Sequence, residues 1–360
     1  MTRNVLIVGA GPTGLTAALE LARRGWEPRI IERKPAPTPL SKAVGISAHS
    51  LDILEASGVS ARLLARGIKV RRGHVRFGGR VLGKIDFSRL RHRFNFLLSL
   101  PQSDTEAAMG EALAGFGVAV GRCTALLDIR PAGDKVEVTM EGPQGQEQSR
   151  YDFVFGADGA HSRVRTQMGL DFAGYVHERL WSIADAEIAD WPYEADAAQL
   201  FLNQSGDIGF IIPIGRQRFR AVSNTPDALS RIGGDYRARV LQVDTFHVPA
   251  QQAPIYQVGR VFLGGDAAHV HSPVGARGMN LGIEDAASFA RRLTENDLDG
   301  YTAERRPVGR RWIALSERML AAAQATGTVA VAARNLAFRI VGHLPALQRP
   351  MLDRVAGLRE

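Results

Sequence analysis

The chain of 360 residues holds one cysteine, Cys123, which excludes an intrachain disulfide framework and a cysteine-based zinc site. Cys123 lies in the apolar run GVAVGRCTALLDI and is expected to be a small core residue of a strand. No stretch reaches the roughly 18 uninterrupted apolar residues that span a bilayer, so no stable membrane insertion is expected. The N-terminus has no basic segment, apolar stretch and cleavage site in succession; it runs straight into NVLIVGAG, and a cytoplasmic location is expected. Zinc-finger spacings, an RNA-binding aromatic motif and a basic helix are also missing. The net charge of +8 is dispersed over arginine pairs at 23–24, 71–72, 291–292, 305–306 and 310–311. It reads as a solvated surface that attracts an anionic cofactor or substrate, and no nucleic-acid partner is expected. The 45% hydrophobic and 23% charged residues are ordinary for a globular protein with a sizeable core.

What is present begins with GAGPTG at Gly9–Gly14. It follows the all-apolar Val5–Val8, suited to a strand buried on both faces, and opens a helical period at Leu15, Ala18, Leu19 and Ala22. A second strand, Pro28–Glu32, completes a βαβ unit of the expected size. Gly9, Gly11 and Gly14 permit a tight turn and close approach of backbone to a pyrophosphate, while the helix start offers unpaired N–H groups. Glu32 falls where a ribose-hydroxyl acceptor belongs, which favours FAD or NAD over NADP. Arg33 beside it is read equally well as an adenine or phosphate contact and as a solvated charge.

The second signal is GRVFLGGDAAHVHSPVGARGMNLGIEDA at Gly259–Ala286. Asp266 emerges at a strand end, where a carboxylate can accept hydrogen bonds from a cofactor's polyol. Pro273, Gly275 and Gly278 let backbone pass close to a flat ring. Asn280 begins a helix whose N–H groups can stabilise negative charge on that ring. His269 and His271 invite a metal reading, but no cysteine joins them and Asp266 has a better use, so none is expected. A third stretch, YDFVFGADGAHSRVR (Tyr151–Arg165), is a strand breaking at Asp158-Gly159 into a short helix. Between these signals, residues 180–223 read as short strands separated by turns. Helices are expected across Leu281–Arg292, Tyr301–Ala323 and Ala330–Gly357. The fold class is α/β, a nucleotide domain interrupted by a mostly β region.

The three signals, in this order, resemble the class A FAD-dependent aromatic hydroxylases, flavoprotein monooxygenases of the p-hydroxybenzoate hydroxylase fold. The resemblance runs from Val5 to about Arg311 and includes SKAVGISAHSLDILEASGV, LPQSDTEAAM and YTAERRP. It implies a Rossmann-like FAD-binding domain over 1–175 and 256–325, with interleaved strands near 69–100. An inserted β-sheet substrate domain over 176–255 and C-terminal helices over 326–360 complete the expectation. By position, Gly9, Gly11, Pro12, Thr13 and Gly14 would form the pyrophosphate loop, and Glu32 would bind the adenosine ribose. Lys42 would approach the pyrophosphate, and Gln102 the ribityl and phosphate part. Asp158-Gly159 would serve FAD and NAD(P)H handling. Asp266 would bind the ribityl chain, Gly278, Met279 and Asn280 would lie along the isoalloxazine, and Pro273 would sit beside its reactive edge. Two positions depart from the family pattern: Ala276 stands where glycine is common, and Lys42 where arginine is.

The implied chemistry is NAD(P)H reduction of FAD, addition of O2 to give a flavin C4a-hydroperoxide, and hydroxylation of a small aromatic substrate, phenolic or polyketide-like. Such chemistry asks little of side chains, and the sequence displays no nucleophile or triad. No catalytic base is identified; His247 is a candidate, though a satisfied strand histidine reads better. With no separate reductant domain in view, NADH or NADPH is expected to bind transiently near Asp158. Apolar residues in LFLNQSGDIGFIIPI fit a cavity wall, or equally the back of a packed sheet. Residues 225–250 look short, suggesting a compact or more open cavity. An end near residue 360 implies no thioredoxin-like C-terminal domain, and a monomer or homodimer is expected. Two other readings stay open: a reductase resembling the geranylgeranyl reductases, and a non-catalytic FAD-binding protein. A flavin halogenase is disfavoured, because Trp26, Trp181, Trp191 and Trp312 are scattered and form no W-x-W-x-I-P motif.

Overall fold

A computed structural model of the protein describes residues 4–37 and 43–359. Lys42 lies outside the described residues. The first strand, Asn4–Val8, is buried because four of its five residues are apolar. It occupies the middle of a six-stranded sheet, paired in parallel with Phe153–Gly156 on one side and Glu27–Glu32 on the other. Val261–Leu263 adds in parallel beyond 153–156, and Val120–Arg122 beyond 27–32. All the parallel strands therefore end on one edge, with the chain order reversing direction about the first strand. In open α/β sheets that edge is where ligands bind.

An eight-stranded sheet carries the middle of the chain, built from Ala173–Ile188, Ala197–Leu202, Ile208–Gly215, Arg218–Ser223 and Ala238–Gln252 with Arg72–Phe77 and Arg80–Asp86. The last strand in its order, His269–Val270, belongs to the long motif after residue 259 and pairs with Gln251 and Gln252. Strands alternate faces. Phe201, Ile211, Phe219 and Ala221 pack on the outer side with Ala228, Ile232, Trp191 and Tyr236. Leu200, Leu202, Ile208 and Val222 pack on the inner side with Leu320, Ala323 and Val274. LFLNQSGDIGFIIPI is thus part of a packed sheet, with alternate residues on its two faces.

Helices Gly278–Glu295 and Tyr301–Ala323 agree with expectation. Beyond them the apolar period is cut into Thr328–His343 and Pro345–Val355, because Pro345 disfavours helical backbone at the residue before it. No described helix is long and apolar enough to cross a membrane. One reading is corrected. Cys123 is exposed with φ +55°, at the turn that follows the short Val120–Arg122 strand, so it is not a core residue. Residues 238–252 form one of the longest strands. His247 on it is exposed, with Nδ1 3.1 Å from the His177 carbonyl, an arrangement that satisfies it locally.

Candidate active site

The glycine loop is built by contacts that leave no room for side chains. Gly9 has φ +103°, and a Cβ there would strike the Ala157 carbonyl; a Cβ on Gly14 would strike the Gly9 carbonyl. Gly11 differs, because the position its Cβ would take has nothing within 4 Å. Pro12 starts the helix, where its missing N–H costs nothing. The Thr13 side chain fills the gap between Gly265 and Gly282, so close that neither could carry a methyl. Thr13 therefore joins the loop to the second motif rather than pointing away from it.

Glu32 ends its strand with Oε2 accepting from Ala10 N–H and Oε1 from Lys34 N–H, each at 3.0 Å. Arg33 is exposed. Gln102 begins the helix Gln102–Gly115 and donates to Glu106 Oε1 at 2.8 Å. Burial raises the Glu106 carboxyl, and the Glu32 carboxylate adds to the effect. That places Glu106, which sequence reading passed over, at the Glu32 end of the cleft.

Asp158 is largely spent on its own turn. Oδ1 accepts from Ser162 Oγ at 2.5 Å, and Oδ2 from the N–H groups of Arg163 at 2.7 Å and Val164 at 3.1 Å. Gly159 follows with φ +84°. Burial raises the Asp158 carboxyl despite these bonds. Arg165, also unassigned by the sequence, donates to the carbonyls of Ala267 and Ala160, both at 2.9 Å, and lies 3.7 Å over the Phe172 ring. It fastens the Asp158 turn to the Asp266 turn.

Asp266 is the single exposed residue between Val261 and Val270. Its neighbours are held by Asp285, whose Oδ2 accepts from Gly265 N–H at 3.0 Å and from His269 Nε2 at 2.7 Å. Arg305 Nε supplies the counter-charge to Asp285 Oδ1 at 2.7 Å. A buried chain continues through Glu284, which takes Arg305 at 3.3 Å and Arg277 at 2.6 Å. Burial alone would raise the Asp285 carboxyl, but His269 and Arg305 outweigh it and hold it at about 2. Among the described residues, no three His, Cys, Asp or Glu side chains gather in a metal-holding group.

The loop after Val270 leads to the helix start. Pro273 is exposed, and Gly278 and Met279 are half-buried. The Asn280 side chain is fully buried: Oδ1 accepts from Ser47 N–H at 2.8 Å, and Nδ2 donates to the Gly45 and Ala276 carbonyls at 2.9 Å. Its side chain clamps residues 45–47 to the helix, while its backbone N–H remains in the unpaired first turn. Ala276 has φ +52°, a backbone where glycine is favoured by about 1 kcal/mol. Ala276→Gly is accordingly expected to stabilise the protein by about 1 kcal/mol in urea unfolding; unchanged or lower stability would contradict this.

The four turns at Gly9, Glu32, Asp158 and Asp266 thus leave the same edge of one parallel sheet. The profile of the FAD-binding-domain family matches residues 2–231 and 227–316. The chain belongs to the class A FAD-dependent aromatic hydroxylases. FAD is the cofactor of this family, and the cleft suits it: open space over Gly11, a carboxylate exposed at Asp266 and two helix starts. This chain is 34% identical over 359 residues to 6-methylpretetramide 4-monooxygenase of Streptomyces rimosus, covering 92% of this chain and 63% of that one. It is 32% identical to rifampicin monooxygenase of Streptomyces venezuelae, covering 85% of this chain and 68% of the other. It therefore spans about two thirds of these relatives' length. Its fold is that of p-nitrophenol 4-monooxygenase PnpA from Pseudomonas putida DLL-E4, with a TM-score of 0.90, 22% identity and 99% of both chains covered.

Proposed function

We propose that this protein is an FAD-dependent monooxygenase that uses NAD(P)H and O2 to hydroxylate an aromatic substrate, phenolic or polyketide-like. The observation that carries the reading is the apolar inner face of the eight-stranded sheet, set against the loop that leads to Gly278. Leu200, Val222 and Phe246 are only half-buried there and pack with Val274 of that loop. Phe210 extends the same face beside Val44 and Leu97. An apolar wall facing the flavin-proximal loop suits an aromatic ring.

FAD, when bound, supplies hydride acceptance and oxygen activation. The chain's own residues bind and orient. Gly9, Gly11, Pro12, Thr13 and Gly14 form the pyrophosphate loop, and Glu32 takes the adenosine ribose through the oxygen lone pairs its backbone partners leave. Gln102 stands at the start of the neighbouring helix. Asp266 accepts from the ribityl hydroxyls. The N–H groups of Gly278, Met279 and Asn280 would stabilise negative charge on a ring held there, and Pro273 would line the same loop. The reductant binds transiently beside Asp158-Gly159, and the inner sheet face shields the reacting ring from water.

The test is NAD(P)H oxidation by the FAD-loaded protein, with an oxygen electrode and mass spectrometry. A phenol or a tetracyclic aromatic is expected to accelerate oxidation, consume O2 and gain one oxygen atom. Substrate-stimulated oxidation without O2 uptake would replace hydroxylation by double-bond reduction, and flavin that no nicotinamide reduces would indicate a non-catalytic role.

A further inference from the structure

His271 is a half-buried histidine with one ring nitrogen accounted for and one, enclosed by the protein, not. Its Nδ1 stands 2.8 Å from the Ser272 carbonyl oxygen. A carbonyl can only accept, so Nδ1 carries the proton and, in the neutral ring, Nε2 carries a lone pair. Burial disfavours the imidazolium and pushes its pKa down to about 4, so the ring is neutral in the ordinary working range. Nε2 is inaccessible to solvent and has no hydrogen-bond partner in the protein. A buried acceptor left unpaired is costly, and native structures rarely keep one without a use.

The place it faces is specific. Apart from its chain neighbours and its own helix backbone, the one atom within 4 Å of where a Cβ on Gly278 would sit is His271 Nε2, at 4.0 Å. The same spot is the start of an 18-residue helix. Its first bond of the ladder, Leu281 N–H to Arg277 O at 2.8 Å, leaves the N–H groups of Gly278, Met279 and Asn280 ahead of it. A fixed acceptor therefore stands beside a row of donors. A ligand that satisfies both must present a donor next to an acceptor.

We propose that His271 Nε2 accepts a hydrogen bond from an N–H or O–H of the ligand bound over Gly278. Two groups have this chemistry: the imide N–H of the isoalloxazine, flanked by carbonyls, and the hydroxyl of an aromatic substrate. The second source rests on the hydroxylase reading above; the first requires only that FAD binds.

The experiment compares wild type with His271→Leu, which fills the space without an acceptor, and His271→Gln, which restores an acceptor oxygen. In one arm, apoprotein is titrated with FAD and with 3-methyl-FAD, following flavin fluorescence. In the other, FAD-loaded protein is titrated with p-nitrophenol and p-nitroanisole, following the flavin absorption bands. The discriminating ratio is expected to be about tenfold in wild type, kept in His271→Gln and lost in His271→Leu. Loss in the first arm assigns the flavin imide, and loss in the second the substrate hydroxyl. Ratios that are the same in all three proteins in both arms, including absence of p-nitrophenol binding alongside an unchanged first arm, would overturn the proposal and leave a trapped water as the partner of Nε2.

Discussion

Asp266→Ala is expected to yield folded protein that is colourless after gel filtration and binds FAD about 10- to 100-fold more weakly than wild type. The magnitude is that of hydrogen bonds to a charged acceptor, about 1.5–3 kcal/mol. The fold should survive because the side chain is exposed, while the turn is held by its neighbours: Gly265 N–H and His269 on Asp285, Ala267 O on Arg165. The variant's apoprotein should therefore still unfold cooperatively, within about 1 kcal/mol of wild-type apoprotein, the usual size of a single-substitution effect. Asp266→Asn, which keeps a weaker acceptor, should fall between. Tight, stoichiometric FAD in the alanine variant would remove Asp266 from the cofactor's ligands.

Arg305→Ala should act through the fold instead. Asp285 is wholly buried and relies on Arg305 for counter-charge and on His269 for a hydrogen bond. Breaking a buried pair while leaving one charge behind costs about 3–5 kcal/mol. The sign of the pH effect follows from the depressed Asp285 carboxyl. Its ordinary value is 3.8 and its folded value about 2, so its stabilisation is complete above the ordinary value and disappears as pH falls through the folded one. Removing Arg305 lifts the folded value, so the acid-unfolding midpoint should move to higher pH. Urea unfolding at neutral pH and an acid titration read the two effects separately. An unchanged acid midpoint together with neutral-pH stability within about 1 kcal/mol of wild type would show that Asp285 does not depend on Arg305.

The cofactor cleft was legible in the sequence where local backbone rules dictate it. Gly9 and Gly14 announce a loop with no room for side chains, and Val5–Val8 announces the strand that feeds it. Asp266 was legible as a carboxylate at a strand end. The supports were not. Asp285, Arg305 and Arg165 sit on elements whose meeting depends on tertiary packing, and each reads locally as an ordinary helical charge. Asn280 shows the same limit: its backbone position was readable, but its side chain's bonds reach residues more than 230 positions away. The bounds of the strand Ala238–Gln252 were not legible because its first half has exposed residues on both faces, including Val240 and Val243, so hydrophobic alternation carries no signal there. Cys123 was misplaced because a left-handed turn residue cannot be inferred from apolar neighbours.

In three neighbouring strands of the eight-stranded sheet, Ala197–Leu202, Ile208–Gly215 and Arg218–Ser223, the two faces separate by the parity of residue numbers. Leu200, Leu202, Ile208, Phe210 and Val222 look inward, and Phe201, Ile211, Phe219 and Ala221 outward. On the proposed function, exchanges among bulky and small apolar side chains at those even positions would reshape the wall of the substrate site for larger or smaller rings. The odd positions meanwhile keep the outer layer intact. Under that reading, divergence in substrate size needs no new backbone, only drift at the even positions of these three strands.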